Sequence, residues 1–346
     1  MIVITDGNIL KNEAEALVNT VNCVGFMGKG IALQFKKAYP DNYVAYKKAC
    51  NAGELKPGRM FIFKTGSMIN PKYIINFPTK RHWKGNSHLE DIREGLKALV
   101  SDVRTHGIQS IAVPPLGCGL GGLPWHVVRP IIEKAFHELP NVKVLLFEPH
   151  GAPDAKTMPV HTKKPKLTIA RALFIKLMEK YGQFAYRLTL LEMQKLAYFL
   201  QEAGEPLKLK YDAGIYGPYA PNLNKVLEVL EGHYTRGYGD TQKPDVEIDL
   251  LPNAIDEANK FLAEHGSRAA LLIRVADLIE GFETPYGMEL LSSVHWVANR
   301  DPFPANSAEE AVGKIHAWSD RKRNMFRHKH IEVAWNRLRE QGWLSN

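Results

Sequence analysis

The chain lacks most of what metal-binding, disulfide-stapled and membrane proteins need. It has three cysteines in 346 residues, Cys23, Cys50 and Cys118. None sits in a CxxC spacing, so neither a disulfide framework nor a zinc site is supported, and the thiols are expected to stay reduced. No apolar run of about 18 residues occurs, which argues against a membrane-spanning helix. The N-terminus, MIVITDGNIL, has no cationic stretch followed by an apolar run and a small-residue cleavage site, so a cytoplasmic protein is expected. Nothing matches GxxxxGK[ST], which disfavours a nucleoside triphosphatase. Repeats and low-complexity tracts are missing as well. No cofactor and no metal are expected.

What is present is an ordinary globular composition with an uneven charge. Hydrophobic residues make up 45% and charged residues 24% of a chain long enough for two domains. Residues 1–155 hold 19 Lys and Arg against 13 Asp and Glu, a net of +6, and residues 156–166 add four lysines and no acid. Residues 167–320 hold 15 against 22, a net of −7, while the last 26 hold 7 against 2, a net of +5. A basic front suits an anionic ligand such as a nucleotide or nucleic acid, although the same charge also serves plain solubility.

Strand-like runs at the front (MIVIT, ALVNTVN, RMFIFKT, YIINFP, SIAVPPL, KVLLFEP) alternate with helix-like segments (GIALQFKKAYPDNYVAYKKACN, HLEDIREGLKALVSDVRTHG, PWHVVRPIIEKAFHEL). The alternation predicts an α/β domain over 1–155, a mixed sheet between helices. The segment 150–168, HGAPDAKTMPVHTKKPKLT, has prolines, lysines and no apolar period, and reads as a linker centred on 156–166. Beyond it, six segments from ARALFIKLMEKYG to YGMELLSSVHWVANR show apolar spacing near 3.6, so 167–346 is predicted to be mostly helical.

Two segments carry glycines where a strand gives way to a helix: PPLGCGLGGLPW at 114–125 and NTVNCVGFMGKGIALQFKKAYP at 19–40. Backbone N–H groups bared of side chains, with a helix N-terminus behind them, can face an anion. Two such loops could clasp one diphosphate. Taken singly, either loop is as well read as a tight turn.

GNIL at 7–10, ALVNTVN at 16–22, MGKGIALQFK at 27–36 and PPLGCGLGGL at 114–123 resemble, in order and spacing, the ADP-ribose-binding macrodomain. The match covers essentially all of residues 1–155. Within macrodomains, MGKGIALQFK together with NFPTK is similar to the branch holding the terminal ADP-ribose protein glycohydrolases and, as the closer fit, the DarG-like DNA ADP-ribosyl glycohydrolase antitoxins. The resemblance implies adenine near Asn8 and Ile9, and a diphosphate against the backbone amides of Gly117, Cys118, Gly119, Leu120 and Gly121. It implies a distal ribose near Asn22, Gly28, Lys29, Gly30 and Ile31, with Thr20, Gln34 and Thr79 as further ADP-ribose contacts. Asn8 stands where many macrodomains have Asp, and its side-chain carbonyl can still accept from the adenine amino group.

The resemblance also implies that Lys80, which ends IINFPTK, attacks the anomeric carbon of the distal ribose. An amine attacks only when neutral, so its pKa must fall below the roughly 10.4 of a free lysine. Burial, or the neighbouring cations Arg81 and Lys84, would lower it. From composition alone, a lysine in such a loop is a solvated residue. The sequence departs from the human terminal ADP-ribose enzyme at Gly121, where that enzyme carries a catalytic aspartate. No carboxylate occurs between Pro114 and Trp125. Either water resolves the lysine adduct unaided, or another group such as His82 or Glu148 acts as acid and base. The gap weakens a protein-glutamate substrate and favours a nucleobase N-glycoside. His88 and His126 read as surface or capping residues, Trp125 as a helix anchor, and Cys118 as a small packing residue whose N–H matters.

In the second half, LLEMQKLAYFLQEAG at 190–204 and YDAGIYGPYAPNLNKVLEVLE at 211–231 resemble the helical antitoxin domain called Panacea. Without that resemblance, QKLAYFL is a core helix and YGPYAP a proline-fixed turn. No carboxylate pair, metal spacing or nucleophile motif occurs here, so a binding role is expected. RKRNMFRHKH at 321–330 reads as a solvated helix face or as a DNA contact. The resemblances imply a hydrolase that removes ADP-ribose from a base in single-stranded DNA, commonly thymine. They also imply that 167–346 binds the cognate DarT-like DNA ADP-ribosyltransferase toxin, with no membrane partner. The alternatives are a reader that binds ADP-ribose without hydrolysis and a hydrolase of ADP-ribosylated protein.

Overall fold

The computed structural model describes residues 1–149, 157–182, 188–239, 245–266 and 268–344. The chain divides into two compact units, one of Met1–Lys163 joined by Gly239, and a second of Lys164–Tyr238 and the described residues from 245 onward.

The first unit runs β1 (Ile2–Thr5), β2 (Ala16–Asn22), α1 (Gly30–Ala38), α2 (Pro40–Asn51), β3 (Phe61–Lys64), β4 (Tyr73–Lys80), α3 (Leu89–Thr105), β5 (Ser110–Val113), α4 (Trp125–Phe136) and β6 (Lys143–Phe147). All six expected strands are present, in the order β1-β6-β5-β2-β4-β3. Five are parallel, and β3 alone runs antiparallel, against β4. Successive side chains point to opposite faces. Ala16, Val18, Ile75, Phe77, Ile111 and Val113 pack with Leu96 and Leu99 of α3 and Ile132 of α4, while Leu17, Ile74 and Ala112 pack with Phe35 and Ala38 of α1. A sheet covered on both faces explains why its strands read as nearly continuous apolar runs.

Two local features set the site. The segment 30–51, which reads as one helix, is two: Tyr39 leaves the helical region at φ −130° and ψ 71°, and Pro40 opens α2 at its first turn. Proline fits there because the first N–H groups of a helix have no intrahelical acceptor. Further on, a Cβ at Gly95 would lie 2.3 Å from the Phe77 ring. Only glycine lets α3 settle on β4, and that contact brings the start of α3 against the end of β4 that carries Lys80.

The expected linker begins at 150, and its first residues, 150–156, lie outside the described ones. The part that follows does not hang free. Met158 is buried with Ile9 and Phe147, and His161 bonds through its backbone N–H to Lys37 O at 2.8 Å and through its ring to Ala38 O at 2.7 Å. An apolar side chain among the prolines and lysines gives the segment its purchase.

The second unit is mostly helical, as expected: α5 (Ile169–Gly182), α6 (Leu190–Glu202), α7 (Leu223–Leu230), α8 (Ala254–His265), α9 (Ala269–Ile279), α10 (Pro285–Asn299), α11 (Ala308–Trp318), α12 (Asp320–Met325) and α13 (His328–Glu340). Small strand pairs lie among them, β7 (Asp212–Gly214) with β8 (Gly217–Tyr219) and β9 (Thr235–Arg236) with β10 (Asp249–Leu250). The basic run at 321–330 is not a solvated face throughout. Lys322 is fully buried, 2.8 Å from Glu289 Oε1 and 3.0 Å from Ser293 Oγ, and Arg321 pairs with Glu289 at 2.6 Å. Among the described residues no helix is long and apolar enough to cross a membrane.

Candidate functional site

In a parallel sheet the residues after each strand collect at one edge, and ligands enter where successive connections leave in opposite directions. Here the chain leaves β2 toward β4 and leaves β5 toward β6, so that point lies between β2 and β5. Their pairing covers only Ala16–Leu17 against Ile111–Ala112, whereas β2 follows β4 as far as Asn22. Beyond Leu17 the two strands part. The crevice is therefore bordered by the loop after β2, which holds Gly28 and Lys29, and by the loop after β5, which holds Gly117–Gly121. Neither α1 nor α4, which these loops open, has a side-chain cap or an acidic residue in its first turn. Neither helix supplies a side-chain counter-charge to its own positive end.

The glycine-rich loop is braced from below. Within it Leu123 N–H donates to Gly117 O at 3.0 Å and Gly122 N–H to Gly119 O at 3.1 Å, and from outside Ser87 N–H donates to Gly121 O at 3.0 Å. A Cβ on Gly121 would stand 2.3 Å from both Ser87 Oγ and Gly117 O. No side chain fits at 121, so a carboxylate there is excluded by packing as well as by sequence. A Cβ on Gly119 would meet nothing within 4 Å. That side of the loop faces open volume, as a ligand cradle requires.

Lys80 ends β4, where the register to β2 slips: Val21 pairs with Pro78, but Asn22 pairs with Lys80, leaving Thr79 as the extra residue. Such a bulge changes the face taken by the side chains beyond it. Lys80 Nζ donates to the carbonyl of Leu120 in the glycine-rich loop. Partial burial pushes its pKa below the ordinary lysine value. Of the two cations expected to help, Arg81 is already committed: its Nη2 and Nε reach the two oxygens of Asp91 at 3.0 and 3.3 Å. Lys84 lies over the Trp83 ring. The lowering at Lys80 therefore comes from burial.

The other expected residues divide. Asn22 lies beside Lys80, but its side chain organises its own loop, accepting from Val24 N–H at 3.0 Å and donating to Phe26 O at 2.6 Å. Tyr46 OH, buried beneath, donates to Asn22 O at 2.7 Å. Thr20 and Ile31 are half-buried at the crevice elements β2 and α1, Thr79 and Gln34 are buried, and Gly28, Lys29 and Gly30 are half-exposed. Burial lowers the pKa of Lys29 as well. Asn8 and Ile9 follow β1, four strand spacings from β4, or about 19 Å along the edge. The Asn8 carbonyl expected to face adenine already accepts from Leu10 N–H at 3.0 Å, while Ile9 is buried in the apolar core.

Cys118 packs against the core and burial lifts its thiol to about 11, which disfavours the thiolate a nucleophile needs. Glu148 pairs with Arg129 at 3.0 Å at the end of β6, three strand spacings or roughly 14 Å from β4. It is too far to serve Lys80. His82 is exposed, its Nδ1 accepting from Lys84 N–H at 3.2 Å. Sequence reasoning missed Ser87 and Asp91 altogether. Asp91 lies in the first turn of α3, where an acid is favoured in any case, so nothing in the sequence marked it as the partner of Arg81.

The Macro domain family matches residues 18–132. A DNA ADP-ribosyl glycohydrolase of Thermus aquaticus is 47% identical over 338 residues, spanning 98% of this chain and 93% of that protein. The protein of the same name from Mycobacterium tuberculosis is 40% identical over 353 residues, spanning 98% and 99%. A DNA ADP-ribosyl transferase-DNA ADP-ribosyl glycohydrolase fusion protein of Thermosipho africanus is 34% identical over 173 residues, 45% of this chain and 44% of that one.

Proposed function

Since this chain belongs to the DNA ADP-ribosyl glycohydrolase family, we propose that it cleaves ADP-ribose from a base, thymine, in single-stranded DNA, with Lys80 as the nucleophile. The observation that carries this is the placement of Lys80: at the end of a central strand, beside the switch-point crevice, half-buried, with Nζ held by the Leu120 carbonyl.

The neutral amine offers its lone pair to C1 of the distal ribose. As the N–C1 bond forms, the bond from C1 to the base nitrogen breaks, and the base leaves with that electron pair and takes a proton from water. The ring oxygen then leaves C1 with its bonding pair and takes a proton from the amine, opening the sugar to a protonated imine that borohydride can reduce; water adds to C1 of that imine, the amine leaves, and the ring oxygen closes on C1 again to give free ADP-ribose. No carboxylate can stand at position 121, and Glu148 is remote and ion-paired. Water, with exposed His82 as the nearest imidazole in sequence, is left to move protons.

The second unit, by this reading, holds the DNA ADP-ribosyltransferase toxin whose product the first unit removes, in the cytoplasm. Within it residues 167–320 carry a net of −7, followed by +5 over the last 26 residues, and the acidic stretch supports a partner with a basic surface.

The test offers the purified chain ADP-ribosylated single-stranded oligonucleotide and ADP-ribosylated protein side by side, with wild type and Lys80→Ala. Release of ADP-ribose from the oligonucleotide alone, lost in the variant, is expected, as is a borohydride-trapped adduct on wild type only. Binding of ADP-ribose without release from either substrate would make the protein a reader, and faster release from protein would move the substrate class. Near-normal turnover by Lys80→Ala would remove it as nucleophile.

A further inference from the structure

Around Lys80 lies a surface whose two large aromatics, Phe26 and Trp83, take no part in the cleavage chemistry. Phe26, in the loop after β2, is 54% exposed, and Trp83, three residues beyond Lys80, is 45% exposed. Their ring centroids stand 6.1 Å apart. His82 stacks on Trp83 at 5.4 Å with 29° between the planes, and Lys84 Nζ lies 5.1 Å from the same ring. The Arg81 side chain is 73% exposed, although its guanidinium is tied to Asp91. Two large aromatics left in water next to each other cost solubility, and such clusters mark binding surfaces.

We infer that the Phe26–Trp83–His82 patch, flanked by Lys84 and Arg81, holds the nucleotides next to the modified base of a single-stranded nucleic acid. The inference rests on the reading of this chain as a DNA ADP-ribosyl glycohydrolase. Every base has a flat face that stacks on an aromatic ring, so such a platform is tolerant of sequence, and cations at its rim meet the phosphates. In a duplex those faces are already stacked on one another. A polypeptide flanking a modified side chain offers neither regular flat faces nor regular phosphates. Both loops that build the patch leave the ends of β2 and β4, the strands that bring Asn22 and Lys80 together. A base stacked on Trp83 therefore belongs to a strand whose neighbouring sugar reaches the crevice.

Two measurements test this. First, binding of an unmodified single-stranded oligonucleotide is followed in the Lys80→Ala background, where hydrolysis plays no part. Trp83→Ala should weaken it about tenfold, Trp83→Phe should restore most of it, and Lys84→Gln should lower the salt slope by about one. Second, kcat/KM is compared between an ADP-ribosylated oligonucleotide and an ADP-ribosylated mononucleotide. The ratio of the two should fall about tenfold in Trp83→Ala. Oligonucleotide binding indifferent to Trp83 overturns the inference, and so does an equal loss on both substrates, which would make Trp83 part of the ribose site. An equal loss on ADP-ribosylated protein would make the patch a general rim and overturn it too. Hydrolysis surviving in Lys80→Ala would instead sink the nucleophile reading and leave the binding result standing.

Discussion

Arg81 closes a two-point ion pair with Asp91, Nη2 3.0 Å from one carboxylate oxygen and Nε 3.3 Å from the other, one residue beyond Lys80. The carboxylate offsets the charge that would otherwise act on Lys80. Lys80 is the better nucleophile the more of it is neutral, and burial alone lowers its pKa. Single-turnover hydrolysis should therefore rise with pH, with a midpoint below the roughly 10.4 of a free lysine. Asp91→Asn, which leaves the Arg81 charge uncompensated, disfavours the Lys80 ammonium further and should move that midpoint to lower pH. A midpoint that stays put or rises would show that Arg81 does not reach Lys80.

Position 119 and position 121 of the same loop should respond differently. Gly119→Glu adds a side chain to open volume and puts a carboxylate where a diphosphate would lie. ADP-ribose binding should fall at least tenfold, about 1.4 kcal/mol, with the melting temperature nearly unchanged. Gly121→Ala meets Ser87 Oγ and Gly117 O at 2.3 Å. The loop must shift, so binding and melting temperature should fall together. Calorimetry with ADP-ribose and a thermal scan separate the two, and intact affinity in Gly119→Glu would move the diphosphate to another loop.

How much of this was legible follows from sequence separation. The six strands announced themselves because each is a local apolar run, and Lys80 and the glycine-rich loop because a motif carried them. The break at Tyr39 was hidden by apolar spacing that continues across Pro40. Helices α11 to α13 were covered only by the general expectation of a mostly helical 167–346 and of a helix face at 321–330; beyond that charged run Ile331, Ala334, Trp335 and Leu338 recur at helical spacing and are buried. Ser87 beneath Gly121, Asp91 against Arg81 and Phe26 beside Trp83 are juxtapositions made by the sheet order. No local pattern encodes them.

The second unit contains a lysine that folding should discharge. Lys195 is buried, with Nζ 2.7 Å from Pro218 O, and burial first, then the Lys322 charge, brings its pKa down to about 7 against the pull of Glu289. The unfolded chain keeps that proton to about pH 10.4. Between those values the unfolded state binds more protons, so this lysine makes stability rise with pH from about 7 to about 10. In Lys195→Met that contribution, at most a few kcal/mol, should vanish. Urea midpoints of wild type and variant at pH 7 and pH 10 measure it. Parallel pH dependences would mean that Lys195 stays charged when folded.

The charge partition leads to the last prediction, which concerns the toxin partner. A transferase that modifies single-stranded DNA must bind a phosphate chain, so its substrate groove is basic. Residues 167–320 carry a net of −7 in a chain whose overall charge is +8. Acidic side chains in such excess can occupy a basic groove in place of DNA where the fold leaves them exposed. Complementary fields raise the association rate and make the complex weaken with salt, whereas a chiefly apolar interface holds as salt rises. The full chain should therefore capture a catalytically dead transferase at low salt, lose it progressively as salt is raised, and lose it to added single-stranded oligonucleotide. The basic first unit sets a confounding term of its own if, as proposed, it too binds the competitor. Trp83→Ala in the same chain removes much of that term if the aromatic patch holds DNA, and capture should then still be competed, now through the transferase alone. Capture that withstands both salt and competitor would place the toxin on an apolar face and leave the acids as solubilising charge.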